Sequence, residues 1–192
     1  MPVIGVLALQ GDFAEHIKLL EIIGVEATAV RLSDDLRKIQ ALIIPGGEST
    51  TIVQLMDAFD LTAEIKGLVK DGMPTWGTCA GMIVLAREIT EDRPKPLDLI
   101  DIRVRRNAFG RQVDSFEADV SVPALGEKPF PSIFIRAPAI EEMGPDVKPL
   151  ANLNGHGVIA ARQRNVMVTA FHPELTQDQR FHAYFLSMVS GG

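Results

Sequence analysis

At 192 residues the chain is long enough for one well-cored domain and short for two. Apolar residues make up 46% and charged residues 23%, and a net charge of −6 with both signs mixed along the chain argues against nucleic acid or an anionic membrane as the main partner. A single cysteine excludes an intrachain disulfide and suggests a reducing compartment; an N-terminal apolar run with no basic leader, too short to span a bilayer, agrees with a cytoplasmic location.

Residues 3–9 are continuously apolar, the pattern of a strand covered on both faces in a parallel sheet. The run ends in Gln10-Gly11-Asp12. Asp12 with Glu15 predicts a capping box, and Phe13, Ile17 and Leu20 then share the inner face of a helix that stops near Gly24. His16 falls on the polar side of that helix and is expected at solvent or at an edge. Residues 26–31 form a second strand, Ser33-Asp34-Asp35 a turn, and Ala41-Leu42-Ile43-Ile44 a third strand. Strand and helix alternate, which predicts a doubly wound α/β layer. The third strand breaks at Pro45-Gly46-Gly47-Glu48-Ser49-Thr50, and Ile52, Leu55, Met56 and Phe59 follow at helical spacing. A further helix over residues 61–70 carries Leu61, Ile65 and Leu68 inward and ends at Gly72.

Pro74-Thr75-Trp76 is a short strand-like run, and Met82-Ile83-Val84-Leu85-Ala86 reads as the first turns of a buried helix. Between them lies Gly77-Thr78-Cys79-Ala80-Gly81, a small-x-nucleophile-x-small pattern. A strand-to-helix elbow forces its nucleophile into a strained backbone conformation, and small residues two positions to either side let the neighbouring chain pass. The helix start supplies amide hydrogens and partial positive charge, which favour a thiolate and an oxyanion. The plain alternative is that Cys79 is a small buried hydrophobe. In open α/β sheets functional loops gather at the carboxyl ends of strands, so Gln10-Gly11, Gly46-Gly47-Glu48 and Cys79 are expected on one rim.

Beyond a polar loop, Glu91-Asp92-Arg93-Pro94-Lys95-Pro96, Ile102 and Val104 alternate with Arg103 and Arg105 as in a half-exposed strand. Further strands are expected over residues 116–122, 132–136, 147–152, 158–162 and 166–170. Asn154-Gly155 is a strong tight-turn signal and Arg164-Asn165 a weaker one. These additions make the sheet mixed, and an amphipathic helix over residues 178–190 closes the chain. The expectation is thus a single domain over residues 1–192, a three-layer α/β fold with an open, mixed, mostly parallel sheet flanked by helices.

A cysteine nucleophile needs a base, and of four histidines His172 is singled out. His156 follows the Asn154-Gly155 turn and reads as a hairpin residue, and His182 lies beside the apolar stripe of the last helix. His172 directly follows the strand ending at Phe171, which places it on the functional rim, and Pro173 fixes the turn after it. Glu174 can accept from one imidazole nitrogen and leave the other for the thiol, the logic of a Cys, His, Glu triad. The alternative is a turn with a capping carboxylate. In the Pro45-Gly46-Gly47 loop the glycines let backbone amides approach a reacting carbonyl, and Gly47 with Ala80 forms a candidate oxyanion hole. A phosphate cradle is the competing reading, but the Gly-Lys-Ser/Thr ending of a P-loop is missing. Neither Cys nor His spacing suggests a metal site, and no cofactor is expected.

Pro45-Gly46-Gly47, Gly77-Thr78-Cys79-Ala80-Gly81 and His172-Pro173-Glu174 resemble the three blocks of the triad class of glutamine amidotransferases, in the right order. With Gly5-Val6-Leu7-Ala8-Leu9-Gln10-Gly11, Arg106-Asn107-Ala108-Phe109-Gly110-Arg111-Gln112, Phe134-Ile135-Arg136-Ala137-Pro138 and Phe171-His172-Pro173-Glu174-Leu175, the chain resembles more narrowly the glutaminase subunits of pyridoxal 5′-phosphate synthase. The resemblance implies a class I amidotransferase-like, flavodoxin-like fold, Cys79 as nucleophile, and His172 with Glu174 as its relay. It implies that L-glutamine is held by Gly47, Glu48 and Ser49, by Arg106, and by Ile135 with Arg136, and that Gln10 lies near the oxyanion loop. It further implies a synthase (lyase) partner that uses the ammonia, with pentose and triose phosphates, in a large hetero-oligomer. Two rivals stand beside it. One is a glutaminase serving a different acceptor, against which the block starting at Arg106 argues. The other is a non-catalytic redox sensor or chaperone with an elbow cysteine, which has no need for His172-Pro173-Glu174.

Overall fold

The computed structural model describes residues 2–108 and 115–191, so Phe109, Gly110, Arg111 and Gln112 of the family-specific block lie outside the described residues. The first half of the chain runs β1 (Ile4–Leu7), α1 (Phe13–Ile22), β2 (Ala27–Val30), α2 (Ser33–Leu36), β3 (Ala41–Ile44), α3 (Ser49–Ala58), α4 (Leu61–Lys70), β4 (Thr75–Thr78) and α5 (Ala80–Leu85). It continues with β5 (Ala86–Ile89), β6 (Ile100–Arg105), β7 (Ser115–Val120), β8 (Phe130–Ile135) and β9 (Ala139–Met143). The C-terminal part holds β10 (Lys148–Leu153), β11 (Gly157–Gln163), β12 (Val166–Thr169) and α6 (Arg180–Ser190).

The solid apolar runs become the middle of a seven-stranded sheet in the order β10-β11-β12-β4-β3-β1-β2. Every residue of β1, β3, β4 and β12 is buried, as strands covered on both faces require. From β12 to β2 all neighbours pair in parallel, while β11 and β10 extend the β12 edge as antiparallel hairpins. The Arg164-Asn165 turn joins the paired residues Gln163 and Val166, and Asn154-Gly155 lies in the Leu153–Gly157 connection, so both turn signals hold. The parallel strands follow the flavodoxin-like order, and the chain reverses direction across the sheet between β1 and β3, where such folds open a crevice at the carboxyl ends of the strands.

Not every added strand joins this sheet. β5, β6 and β9 form a separate three-stranded sheet and β7 pairs with β8 in a two-stranded ribbon. β5 and β9 were absent from the sequence expectation. β9 reads Ala-Ile-Glu-Glu-Met with three exposed positions, too polar for an apolar run, and it is held by antiparallel pairing with β6. β5 begins where the buried helix was expected to continue, because α5 ends at Leu85.

Two details of the first helix depart from expectation. Asp12 sits at the N-cap of α1 but makes no side-chain capping bond; its carboxylate faces His172 instead. His16 is fully buried rather than solvated, its ring edge-on to Trp76 with centroids 5.6 Å apart and in contact with the buried His182 of α6. Burial, reinforced by the neighbouring His182 and His172, holds His16 well below the usual imidazole range, and burial pushes His182 down to about 3. Both rings are therefore neutral in the native state and take up protons only on unfolding below about pH 6.5. Their stabilising contribution is present above that pH and lost as pH falls towards 3. From pH 7.5 to pH 5 His182 is expected to remove about 2 kcal/mol of unfolding free energy, and His16 to add to the loss in the same direction. Urea unfolding at the two pH values measures the loss, and His182→Phe, which keeps the aromatic packing, is expected to flatten it by one proton's worth. A wild-type stability that is level across this interval contradicts the assignment of neutral buried rings.

Candidate active site

Cys79 follows β4 directly and has φ 47° and ψ −102°, a conformation costly for any residue with a Cβ. The surroundings hold it there. Its N–H donates to the Thr169 carbonyl of β12 at 2.8 Å, and its own carbonyl accepts from Met82 at 3.1 Å. At Gly81 an added Cβ would run into the Ile44 carbonyl at the end of β3, so the start of α5 reaches the sheet only because this position has no side chain. The thiol is 7% exposed, with Sγ 3.8 Å from the Ile135 carbonyl.

His172 lies three residues past Thr169, which is paired in parallel register with Thr78. Its N–H donates to the Ile133 carbonyl of β8 at 2.8 Å. The 3-10 turn Pro173–Leu175 then folds Glu174 back beneath the imidazole, with Nδ1 2.6 Å from Glu174 Oε1. Asp12 Oδ2 approaches the same nitrogen at 3.4 Å, which leaves Nε2 for Cys79. Burial disfavours the imidazolium, but hydrogen bonds and charge from Cys79 and Glu174 outweigh it and raise His172 to about 10. Burial lifts the Glu174 carboxyl above its ordinary value, partly offset by the hydrogen bond and charge of His172. The set has the electrostatics of a charged relay, with a cation between the sulfur and a sealed carboxylate.

These groups open onto a cleft of about 320 Å³, at the small end of ligand pockets, which run from about 300 to 1,000 Å³. Its lining holds Gln10, Gly47, Glu48, Ser49, Cys79, Ala80, Arg106, Ile135, Arg136 and His172, so every residue singled out from the sequence lies on it except Glu174, which is buried behind His172. Gln10 Oε1 accepts from the Glu48 N–H at 2.7 Å and lies against Gly47, whose φ of 153° leaves no room for a Cβ on that side. Glu48 caps α3 by accepting from the Thr51 N–H at 3.1 Å, and its other oxygen pairs with Arg106 Nη2 at 2.6 Å. Arg106 also donates to the Arg93 carbonyl at 3.1 Å, which pins its guanidinium at the mouth. Ser49 Oγ is buried with no hydrogen-bond partner among the described residues. Gly11, expected on the rim, also lines the cleft, and Asp12, Ile83 and Asn107 complete it without having been assigned to the site; for Asp12 the signal was present, since it directly follows Gln10-Gly11 on the predicted rim. Asp12, His172 and Glu174 also bring one potential metal-ligand atom each within 4.8 Å, but the 2.6 Å hydrogen bond between His172 and Glu174 already occupies the facing pair. A thiol and an imidazole backed by a buried carboxylate, on a cleft that also holds a paired carboxylate and guanidinium, suit acyl transfer on a small zwitterion.

A model of the SNO glutamine amidotransferase family matches residues 6–191. The chain belongs to that family. Among curated relatives, this amidotransferase is 54% identical over 188 residues to the pyridoxal 5′-phosphate synthase subunit PdxT of Dehalococcoides mccartyi, covering 97% of this chain and 96% of the relative. It is 55% identical to the subunit of the same name from Herpetosiphon aurantiacus, covering 96% and 99%. Among solved structures, a glutamine amidotransferase crystal structure superposes with a TM-score of 0.91 at 46% identity, covering 97% of this chain and 98% of that one. The amidotransferase fold expected from the motif order is thus the fold observed.

Proposed function

We propose that this amidotransferase hydrolyses the side-chain amide of L-glutamine and passes the ammonia to a pyridoxal 5′-phosphate synthase subunit. The observation that carries the reading is the convergence of Cys79, His172 and Glu174 on one amino-acid-sized cleft, in a chain that is more than half identical to PdxT subunits over nearly its whole length.

The Cys79 thiolate attacks the amide carbon, and the carbonyl electron pair moves onto oxygen, where the Gly47 and Ala80 amides receive it. Collapse of this intermediate breaks the C–N bond as His172 gives its proton to the departing nitrogen, releasing ammonia and leaving a γ-glutamyl thioester. Water then loses a proton to His172 and adds to the thioester; expulsion of sulfur yields glutamate and restores the pair. Glu174 orients the imidazole and balances its charge. The ion pair of Glu48 and Arg106 offers an anion for the substrate ammonium and a cation for its α-carboxylate, with Ser49, Ile135 and Arg136 lining the same cleft. The reaction uses no metal or organic cofactor.

The acceptor lies in another chain, and the product links the two. Glutamate release and glutamine-dependent pyridoxal 5′-phosphate formation, each measured with and without the synthase subunit, test the proposal. Expected are a release rate at least tenfold higher with the partner and coenzyme formation only when both chains are present. Equal release rates would remove the partner from control of the site, and release without coenzyme formation would point to a different acceptor. A redox sensor, by contrast, shows no glutaminase activity with any partner. Among the described residues no helix is long and apolar enough to cross a membrane.

A further inference from the structure

Behind the triad lies a pair of titratable side chains that the proposed reaction does not use. Glu174 gives one carboxylate oxygen to His172. The other, Oε2, is sealed from solvent and makes no full hydrogen bond among the described residues; it faces Nε2 of His16 at 3.3 Å. That nitrogen is also 3.2 Å from Thr78 Oγ1, and Nδ1 of the same ring is 2.9 Å from Nε2 of His182. The three elements α1, α6 and the turn after β12 thus meet through side chains with no exposed surface.

The placement of protons follows from what each nitrogen faces. A neutral imidazole carries one N–H, and burial keeps both rings neutral. Nδ1 of His182 has no hydrogen-bond partner among the described residues. With the proton there, a buried donor would go unsatisfied and His16 would have to turn a lone pair towards a carboxylate oxygen, two costly arrangements. With both protons on Nε2 the chain runs in one direction. His182 donates to His16 Nδ1, His16 Nε2–H lies between Thr78 Oγ1 and Glu174 Oε2, and only an acceptor nitrogen is left bare.

We propose that His16 is a positioning residue for the triad, its Nε2–H supporting the second oxygen of Glu174, and that His182 fixes the tautomer in which it does so. The proposal rests on the reading of Cys79, His172 and Glu174 as the reacting set. Its effect is electrostatic: a neutral donor favours the ionised carboxylate, which in turn favours the imidazolium beside the sulfur. The charged or titratable groups facing Glu174 are His172, Asp12 and His16, and those facing His16 are His182, Glu174 and His172.

Two measurements on the full chain test it. Nitrogen-15 histidine spectra of the wild-type protein near pH 7 are expected to show His16 and His182 as Nε2–H tautomers; a Nδ1–H tautomer of His16 overturns the proposal. The second is the pH profile of iodoacetamide alkylation, which reports one site because the chain has one cysteine. His16→Phe is expected to move the profile about one pH unit upwards, about tenfold slower alkylation on its acid limb. His16→Gln, which keeps an N–H at similar reach, is expected to restore most of it, and His182→Phe to shift it the same way by less. A folded His16→Phe whose profile overlays the wild type overturns the proposal. If that variant does not fold, an unshifted His182→Phe or the wrong tautomer does the same. Failure of the triad reading looks different: the wild-type thiol would then alkylate no faster than a free one, whatever the tautomers.

Discussion

Cys79→Ala is expected to lower glutamate release, assayed with saturating glutamine and the synthase partner present, by on the order of 10⁴-fold or more, the scale on which covalent mechanisms lose rate with their nucleophile. The cleft supports so large an effect because its lining offers no second activated nucleophile: Ser49 supplies the one hydroxyl among the described lining residues, and its Oγ has no hydrogen-bond partner to take its proton. Removing one sulfur leaves the proposed substrate contacts at Glu48, Ser49, Arg106, Ile135 and Arg136 in place, so isothermal titration of the variant with glutamine is expected to give an affinity within about threefold of wild type. Retained turnover would exclude the nucleophile assignment outright. Loss of binding together with turnover would mean instead that the elbow had collapsed, which Cys79→Ser, nearly isosteric and still a poor nucleophile here, separates from loss of chemistry.

The second large effect concerns the relay. His172→Ala is expected to cost on the order of 10³- to 10⁴-fold in kcat, since in the proposed mechanism it removes both the group that accepts the thiol proton and the acid that protonates the departing nitrogen. Glu174→Gln is expected to cost less, about 10- to 100-fold, because the base remains and only its orientation and counter-charge are weakened. The two also differ in pH dependence. The raised pKa of His172 owes part of its height to the Glu174 carboxylate at 2.6 Å. The imidazolium of the Gln variant therefore loses its proton at lower pH, and the alkaline limb of alkylation of Cys79 as an ion pair moves down. In stability the sign is the reverse of that for the buried neutral rings: a folded pKa above the unfolded value contributes stability that is complete below about pH 6.5 and fades as pH rises towards 10. A His172→Ala chain with near-normal turnover would show that the triad is misassigned.

Much of this site was legible because its residue types are dictated by backbone geometry. Gly81 has to be small where α5 meets Ile44, solid apolar runs mark strands buried on both faces, and a histidine straight after such a run must lie on the rim. What escaped sequence reading has an equally physical reason. His16 was assigned to the polar face of α1 by its neighbours in sequence, but its environment comes from Trp76, Glu174 and His182, none of them local. Asp12 matched the spacing of a capping box, yet its carboxylate is drawn to the imidazolium of His172. The small sheets were hidden because β9 carries glutamates that pair with Arg103 and Arg105 on β6 and gives no apolar signal of its own.

The parallel pairing of Thr169 with Thr78 has one more consequence. Cys79 and His172 hang one and three residues beyond that pair, and the Cys79 amide is itself bonded to Thr169. The gap between sulfur and imidazole is thus a sheet spacing, set by the ladder of the central sheet. The loop at Gly46-Gly47 is held more lightly, by one backbone bond from the Asp12 N–H to the Gly46 carbonyl at 3.0 Å and by Gln10, and the ion pair of Glu48 with Arg106 joins its two elements through side chains. One wall of the site is therefore built on the sheet ladder and the other on single contacts, and a docking protein that alters its rate has the more lightly tied wall to act on.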